Sequence, residues 1–358
     1  MKRIIYTFLI GMTFSLIGCK KADEVPPTYE GRTKADDASG RSELDRVSSD
    51  IEKVYNSQEY ADASGMRTSS NLRTTSTAIL PCGKVTFNLN SNSKNFSIDY
   101  SQSGSNCTPY RVLSGSIDVT LVNGTYFSDQ GSKLQVVFNK YKVLYTNSNQ
   151  SVTYEGTTYI TNTSGGSIIG LFTSTPNAEI IHKVRGDLTL SYDTLGASPV
   201  IRSWKIFRKR TFQNTPGTST GITFKLEGDT SFAASTYLTT TSTATFDYVG
   251  ELGLNIDNEK FVCNISTPFI WSNCGSSYAG PYVLKQGKVE YVSYTAKPAY
   301  VLLGYTKYYW TAEAGYKTDA IGSSIFDGTC DSDGYKLNFA LMNDSGTSIY
   351  SVTAFQPY

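Results

Sequence analysis

The sequence predicts an all-β protein, a large antiparallel meander closed as a sandwich or curled sheet, with one short helix near the N-terminus. Three observations carry this. From residue 79 onward, apolar residues recur with a period of two, which places alternate side chains on one face of a strand. Charged residues are only 18% of the chain, while glycine (30) and tyrosine (26) are abundant, a palette that favours sheet over helix. Turn-forming pairs such as Asn123-Gly124 and Glu155-Gly156 are spaced as strand separators.

Residues 1–18 read as an export signal. Lys2 and Arg3 precede an uncharged, mostly apolar run from Ile4 to Ile17. That run has the length of a signal-peptide core and falls short of the roughly 20 residues a spanning helix needs. It ends in Leu16-Ile17-Gly18-Cys19, which resembles the lipobox of bacterial lipoproteins. The resemblance implies cleavage before Cys19 and acylation of that cysteine, so the expected first partner is a membrane. At about 0.8 kcal/mol per buried methylene, several acyl chains make a near-permanent anchor. Lys20-Lys21-Ala22-Asp23-Glu24 is similar to the acidic segment of Bacteroidota lipoproteins that reach the outer face of the outer membrane. The expected location is therefore the outer membrane, facing outward rather than toward the periplasm.

Residues 19–77 form a polar tether with one interruption. Leu44, Val47, Ile51, Val54 and Tyr55 repeat at helical spacing, Ser42 can cap the start, and Glu43 and Asp45 fall in the first turn. A short amphipathic helix over about 42–56 is expected, docked on its own domain.

The all-β domain occupies 78–358. Val85, Phe87 and Leu89 alternate, as do Phe96, Ile98 and Tyr100, with a turn by composition over Asn90–Asn95 between them. Ile117, Val119 and Leu121 follow. Leu134, Val136 and Phe138 hold one parity and Tyr141, Val143 and Tyr145 the other, so a bulge is expected near Asn139-Lys140. Leu188, Leu190 and Tyr192, then Ile222, Phe224 and Leu226, then Leu252, Leu254 and Ile256 continue the pattern.

Six cysteines are present, and lipidation of Cys19 leaves five in an oxidising compartment. Cys82 precedes the first strand and Cys107 follows its hairpin partner, so a Cys82–Cys107 bridge would clamp the hairpin's open end, stabilising it by about 3.5 kcal/mol. An internal echo points to two similar halves. Gly83-Lys84-Val85-Thr86-Phe87 leads through Ser97-Ile98-Asp99-Tyr100 to Cys107, and Gly287-Lys288-Val289-Glu290-Tyr291 leads through Ser324-Ile325-Phe326-Asp327 to Cys330. The echo favours Cys274–Cys330 and leaves Cys263 over; a short Cys263–Cys274 bridge is the alternative.

Cys82, Ile98-Asp99-Tyr100, Cys107, Gly115-Ser116-Ile117 and Gly328-Thr329-Cys330-Asp331 together resemble a family of Bacteroidota outer-membrane lipoproteins with paired Cys…Cys β units. Phe326-Asp327-Gly328 departs from that family's Tyr-Gly-(Asp/Asn)-Gly turn. The resemblance supports the fold and implies no activity.

Chemistry is sparse. His182 is the single histidine, and its neighbours Ile180, Ile181 and Val184 mark it as a strand residue, not a catalytic base. No spacing suggests zinc and no glycine-rich phosphate loop is present, so no cofactor is expected. Asp327, Asp331 and Asp333 fail the calcium-loop pattern and read as a turn. Arg185-Gly186-Asp187 lies where a hairpin would turn, and its match to an integrin-recognised tripeptide reads as chance. Asp193-Thr194-Leu195 resembles the site at which Bacteroidota O-glycosylate exported proteins, which would make Thr194 the acceptor. The aromatic run Tyr305, Tyr308, Tyr309, Trp310 and Tyr316 offers rings of the kind that stack on sugars, with cross-strand packing the competing use.

The formal charge is +1, and removal of residues 1–18 takes Lys2 and Arg3 with it, leaving −1. Such a chain has no electrostatic footprint for nucleic acid. The sequence thus points to a lipid-anchored cell-envelope protein, non-enzymatic, serving structure or interaction with an envelope partner. The alternative is a surface glycan-binding lipoprotein using Tyr305, Tyr308 and Trp310, and after it a glycosidase, whose paired carboxylates need not form a local motif.

Overall fold

A computed structural model describes residues 43–55, 57, 60, 80, 82–90, 93–101, 111–146, 150–171, 174–193, 199–215, 222–233, 237–238, 244–255, 257–273, 282–294, 304–318, 324–326, 334–343 and 345–357. Helix α1 spans 43–55, and a single turn, α2, spans Ile168–Leu171. All sixteen strands belong to one sheet. The first seven are β1 (Lys84–Asn90), β2 (Ser93–Asp99), β3 (Arg111–Asn123), β4 (Lys133–Tyr145), β5 (Gln150–Asn162), β6 (Glu179–Asp193) and β7 (Val200–Asn214), an uninterrupted antiparallel meander. Then come β8 (Ile222–Gly228), β9 (Thr230–Ala233), β10 (Thr245–Leu254), β11 (Lys260–Asn273), β12 (Tyr282–Tyr294), β13 (Lys307–Thr318), β14 (Ser324–Phe326), β15 (Gly334–Met342) and β16 (Ser348–Pro357). Of the two closures expected, a curled single sheet is the one formed.

The curl has a visible cause. Register shifts fall between Ser114 and Ser116 against β4, and between Phe138 and Tyr141 against β5. Lys140 has φ of 51° and Gly115, beside it on β3, has φ of 81°. A Cβ on Gly115 would lie 2.1 Å from the Lys140 carbonyl oxygen, so only glycine permits this approach. The bulge keeps Phe138 and Tyr141 on the same buried face despite their odd spacing. Bulges bend a strand and increase its twist, and irregularities aligned across β3, β4 and β5 bend the sheet as a unit. The parity slip near Asn139-Lys140 was readable in the sequence.

Two expected turns are corrected. Glu155-Gly156 lies inside β5, where Gly156 takes φ of 122° beside the Asp187 carbonyl oxygen. Arg185-Gly186-Asp187 lies in the middle of β6, paired with Tyr159, Thr158 and Thr157 on one side and Phe207, Ile206 and Lys205 on the other. Gly156 and Gly186 serve close strand approach and not reversal, each beside a carbonyl oxygen of the neighbouring strand. The Asn90–Asn95 turn is also shorter than its composition suggests, since β2 resumes at Ser93.

After β7 the meander is broken by a shared position. The first part of β7 pairs with β10 (Trp204↔Gly253), and the rest pairs with β8 (Arg208↔Gly228 to Asn214↔Ile222). Strand β11 does the same, meeting β10 at Lys260–Asn264 and β8 at Phe269–Trp271. Strands β8 and β10 therefore fill one slot end to end. Between them, β9 pairs with the start of β10 to form a hairpin. Its Phe232 and Phe246 pack with Phe207, Val262, Val292 and Tyr309 on the back of the sheet.

The front face carries the main core. One continuous cluster runs from Phe96 on β2 through Trp204 on β7 to Tyr291 on β12, and it takes in Leu44, Val47, Ile51 and Val54 of α1. The expected helix docks on its own domain. Trp204, Phe261, Tyr291 and Trp310 follow one another across β7, β11, β12 and β13 at centroid separations of 5.3, 5.1 and 5.3 Å. The two strands that carry the sequence echo are placed differently: β1 pairs with β2, whereas β12 and β14 both pair with β13.

Candidate functional site

The helix explains how the front face is filled. At about 100° per residue, Leu44, Val47, Ile51 and Val54 form one stripe, with Glu43 and Asp50 on one flank and Asp45 and Glu52 on the opposite one. Each flank meets a different part of the sheet. Glu43 accepts from Arg111 Nη1 and from the Tyr141 hydroxyl, both at 2.5 Å, and the Tyr100 hydroxyl donates to Asp50 at 3.2 Å. On the other side Arg208 Nη1 donates to Asp45 at 2.5 Å and Nη2 to Glu251. Arg210 Nη1 donates to Glu52 at 2.6 Å, and His182 Nδ1 lies 3.2 Å from the same oxygen. Partners on β3 and β4 on one flank and on β6 and β7 on the other mean that the sheet wraps about half of the helix. Arg46 and Lys53 face outward.

These groups are buried. Glu43, His182, Arg208, Arg210, Glu52 and Glu251 are all 6% exposed or less. Each is held in the interior by an opposite charge or hydrogen bond, as the cost of desolvating an ion requires. His182 packs between Phe127 and Phe212 with centroids at 4.9 and 5.6 Å, so it is a core residue. Among the described residues, no group of three histidines, cysteines or carboxylates is arranged to hold a metal. The front-face network fixes the helix on the sheet.

Burial and the Glu43 carboxylate push the Tyr141 phenol well above its usual pKa, and burial with Asp50 does the same for Tyr100. Burial with Glu290 pushes Tyr309 up to about 12. A phenol whose native pKa exceeds the unfolded value of about 10 contributes stability in full below pH 10, and that contribution is lost as pH rises further. Urea midpoints should therefore change little through these tyrosines between pH 7 and 9 and fall steeply between pH 10 and 12.

The sugar-stacking residues expected from sequence are only partly available. Tyr308 and Trp310 share one face of β13, and both are half-buried, as is Tyr305. The Trp310 ring stacks on Tyr291 at an interplanar angle of 19° and is packed against the main core. Tyr309, on the other face, packs against the cluster of Leu238, Val249, Leu252, Val262 and Val292. Cys82 and Cys263 are buried. Cys19, Cys107, Cys274, Cys330 and Thr194 lie outside the described residues, and so do both expected bridges, the Cys263–Cys274 alternative and the carboxylates Asp327, Asp331 and Asp333.

An opening of about 470 Å³ lies on the back of the sheet, at the foot of the β9–β10 hairpin. Lys183 of β6, Lys209 of β7 and, from the hairpin, Thr230, Ser231, Asp247 and Tyr248 line it. Its floor is built. Asp229 accepts from Arg185 Nη2 at 2.6 Å and lies 2.8 Å from Lys183 Nζ, while Glu227 lies 2.9 and 3.2 Å from Lys225 and Lys209. Gly228 sits where the end of β8 crosses β10; a Cβ there would lie 1.9 Å from the Tyr248 carbonyl oxygen. This contact fixes the hairpin's root. Tyr248 itself is 53% exposed. Sequence reasoning missed this cleft because it arises where β8 and β10 exchange places, and Tyr248 alternates like any strand residue.

Among the described residues no helix is long and apolar enough to cross a membrane. In comparisons with known proteins, the chain matches no family model, no curated protein and no solved structure.

Proposed function

We propose that this chain is a lipid-anchored protein of the outer membrane, facing outward, whose β body is a non-enzymatic structural or interaction module. The lipobox at Leu16-Ile17-Gly18-Cys19 supplies the address. The observation that carries the reading is the way α1, which follows the anchor in the chain, is stitched into the front face by Arg111, Arg208 and Arg210. Such a joint couples the anchor to the whole body, as suits a module that presents a surface at a membrane. The front-face charges pair with one another in that joint.

Labelled palmitate in growing cells tests the anchor. The parent chain should take up label and fractionate with the outer membrane, and Cys19→Ser should lose both properties. A parent chain that stays unlabelled and soluble contradicts the reading. Protease added to intact cells should remove the body, whereas a protected body would place it on the periplasmic side. A defined hydrolase or transferase activity on envelope substrates would overturn the non-enzymatic assignment.

Glycan binding is the second reading, favoured by the half-exposed Tyr305 and Tyr308 beside Trp310. It requires these rings to lie on one accessible platform, and Tyr308→Ala together with Tyr305→Ala should then abolish binding.

A further inference from the structure

We infer that the back-face cleft between β6–β7 and the β9–β10 hairpin is a binding site for a neutral oligosaccharide, with Tyr248 as its stacking platform. The inference rests on reading the body as an interaction module and names the ligand class of that interaction.

The first argument is the ring. A tyrosine buries a large flat apolar surface when it finds a partner, and most tyrosines of this sheet do so. Tyr248 does not: it is 53% exposed, on the wall of an opening of about 470 Å³. An aromatic face presented to a cleft of this size suits the apolar face of a sugar ring, and the volume lies within the range of small-molecule sites.

The second argument is the polar lining. Lys183 and Lys209 present donors, Asp247 presents an exposed carboxylate, and Thr230 and Ser231 supply hydroxyls that do either. Sugar hydroxyls both donate and accept, so a mixed wall can satisfy a ring of them. Charge selects against ions. Four cations (Lys183, Arg185, Lys209 and Lys225) stand with three carboxylates (Glu227, Asp229 and Asp247), so no strong field of either sign remains. Asp229 and Glu227 are side-chain-buried at 6% and 14% exposure and each is shared by two cations, so they serve as floor.

The third argument is preorganisation. The Gly228 crossing and the Asp229 pairs hold the hairpin root against β6, so the platform and the donor wall keep their spacing without a ligand. A fixed site loses less freedom on binding.

The test is calorimetric titration of the full-length lipidated protein in detergent with neutral tetrasaccharides of glucan, xylan and mannan type, beside tetragalacturonate as an acidic control. At least one neutral tetrasaccharide should bind, more tightly than the acidic control. Tyr248→Ala should weaken binding at least tenfold, and Asp247→Ala by several-fold. Both positions are exposed, so the variants should melt like the parent, and a melt confirms that they are folded. Absence of binding by every neutral probe, equal binding by folded Tyr248→Ala, or preference for the acidic control would each overturn the inference. None of these outcomes alters palmitate labelling at Cys19, so failure of the ligand assignment and failure of the anchor are read separately.

Discussion

A chain lacking residues 43–55 is expected to lose cooperative folding: it should retain sheet by far-ultraviolet circular dichroism, lose its near-ultraviolet signal and bind a hydrophobic dye. The reason is where the helix sits. Leu44, Val47, Ile51 and Val54 are between 0% and 5% exposed and belong to the same cluster as Phe96, Tyr141 and Trp204. Full burial of such side chains contributes about 1.5–3 kcal/mol each, hence about 6–12 kcal/mol as an upper estimate for the four. A domain's whole stability is about 5–15 kcal/mol. Deletion also bares the apolar sheet residues beneath and removes Asp45 and Glu52, the helix partners of Arg208 and Arg210. Secondary structure without fixed packing is the expected residue of such a loss. A sharp urea transition with the parent's slope would show that α1 is dispensable.

Glu52→Leu is expected to destabilise the folded chain by about 3–5 kcal/mol, because it strands a buried charge. Glu52 and Arg210 are 6% and 4% exposed, and their pair closes at 2.6 Å. Arg210 Nε already lacks a hydrogen-bond partner, and the guanidinium lies over the Phe212 and Phe224 rings at 5.5 and 5.1 Å, where removal of the carboxylate leaves it little else. The desolvation cost of an unpaired ion is what makes the effect large; the pair itself contributes far less. Adding Arg210→Met to Glu52→Leu should therefore recover most of the loss, and urea midpoints of the four corners of that cycle measure it. Lys53→Ala supplies the contrast. Its pair with Asp50 is 3.1 Å long but the lysine is 56% exposed, and such pairs contribute less than about 1 kcal/mol.

How much of this was legible in the sequence depends on the range of the interaction. The helix stripe, the strands β1 to β4, the second half of β6 and β8 were readable because their periodicity is local; β5 and β7 were not. The bulge near Lys140 was readable too, as a slip of parity from Phe138 to Tyr141. Apolar spacing says which way a helix faces but not what its flanks meet, so Glu43 and Asp45 read as first-turn acids when they are partners of Arg111 and Arg208. Arg208 and Arg210 alternate with Phe207 and Lys209, and nothing nearby tells which parity is buried. Gly156 and Gly186 fit turns as well as strands by local sequence alone, and the need they meet is set by the neighbouring strand. The cleft at Tyr248 was hidden for the same reason: it exists only because β8 and β10 share a slot that is fixed by pairing with β7 and β11.

Helix α1 is part of the body it precedes in the chain, held by one apolar stripe and charged pairs on both flanks. Amide hydrogen exchange of the full chain tests it most directly. The amides of the middle turns of α1 should exchange only with global unfolding, at the same free energy as those of β6 and β7. Exchange of α1 at a markedly lower free energy, with β6 and β7 still protected, would show a helix that detaches on its own and would contradict the account.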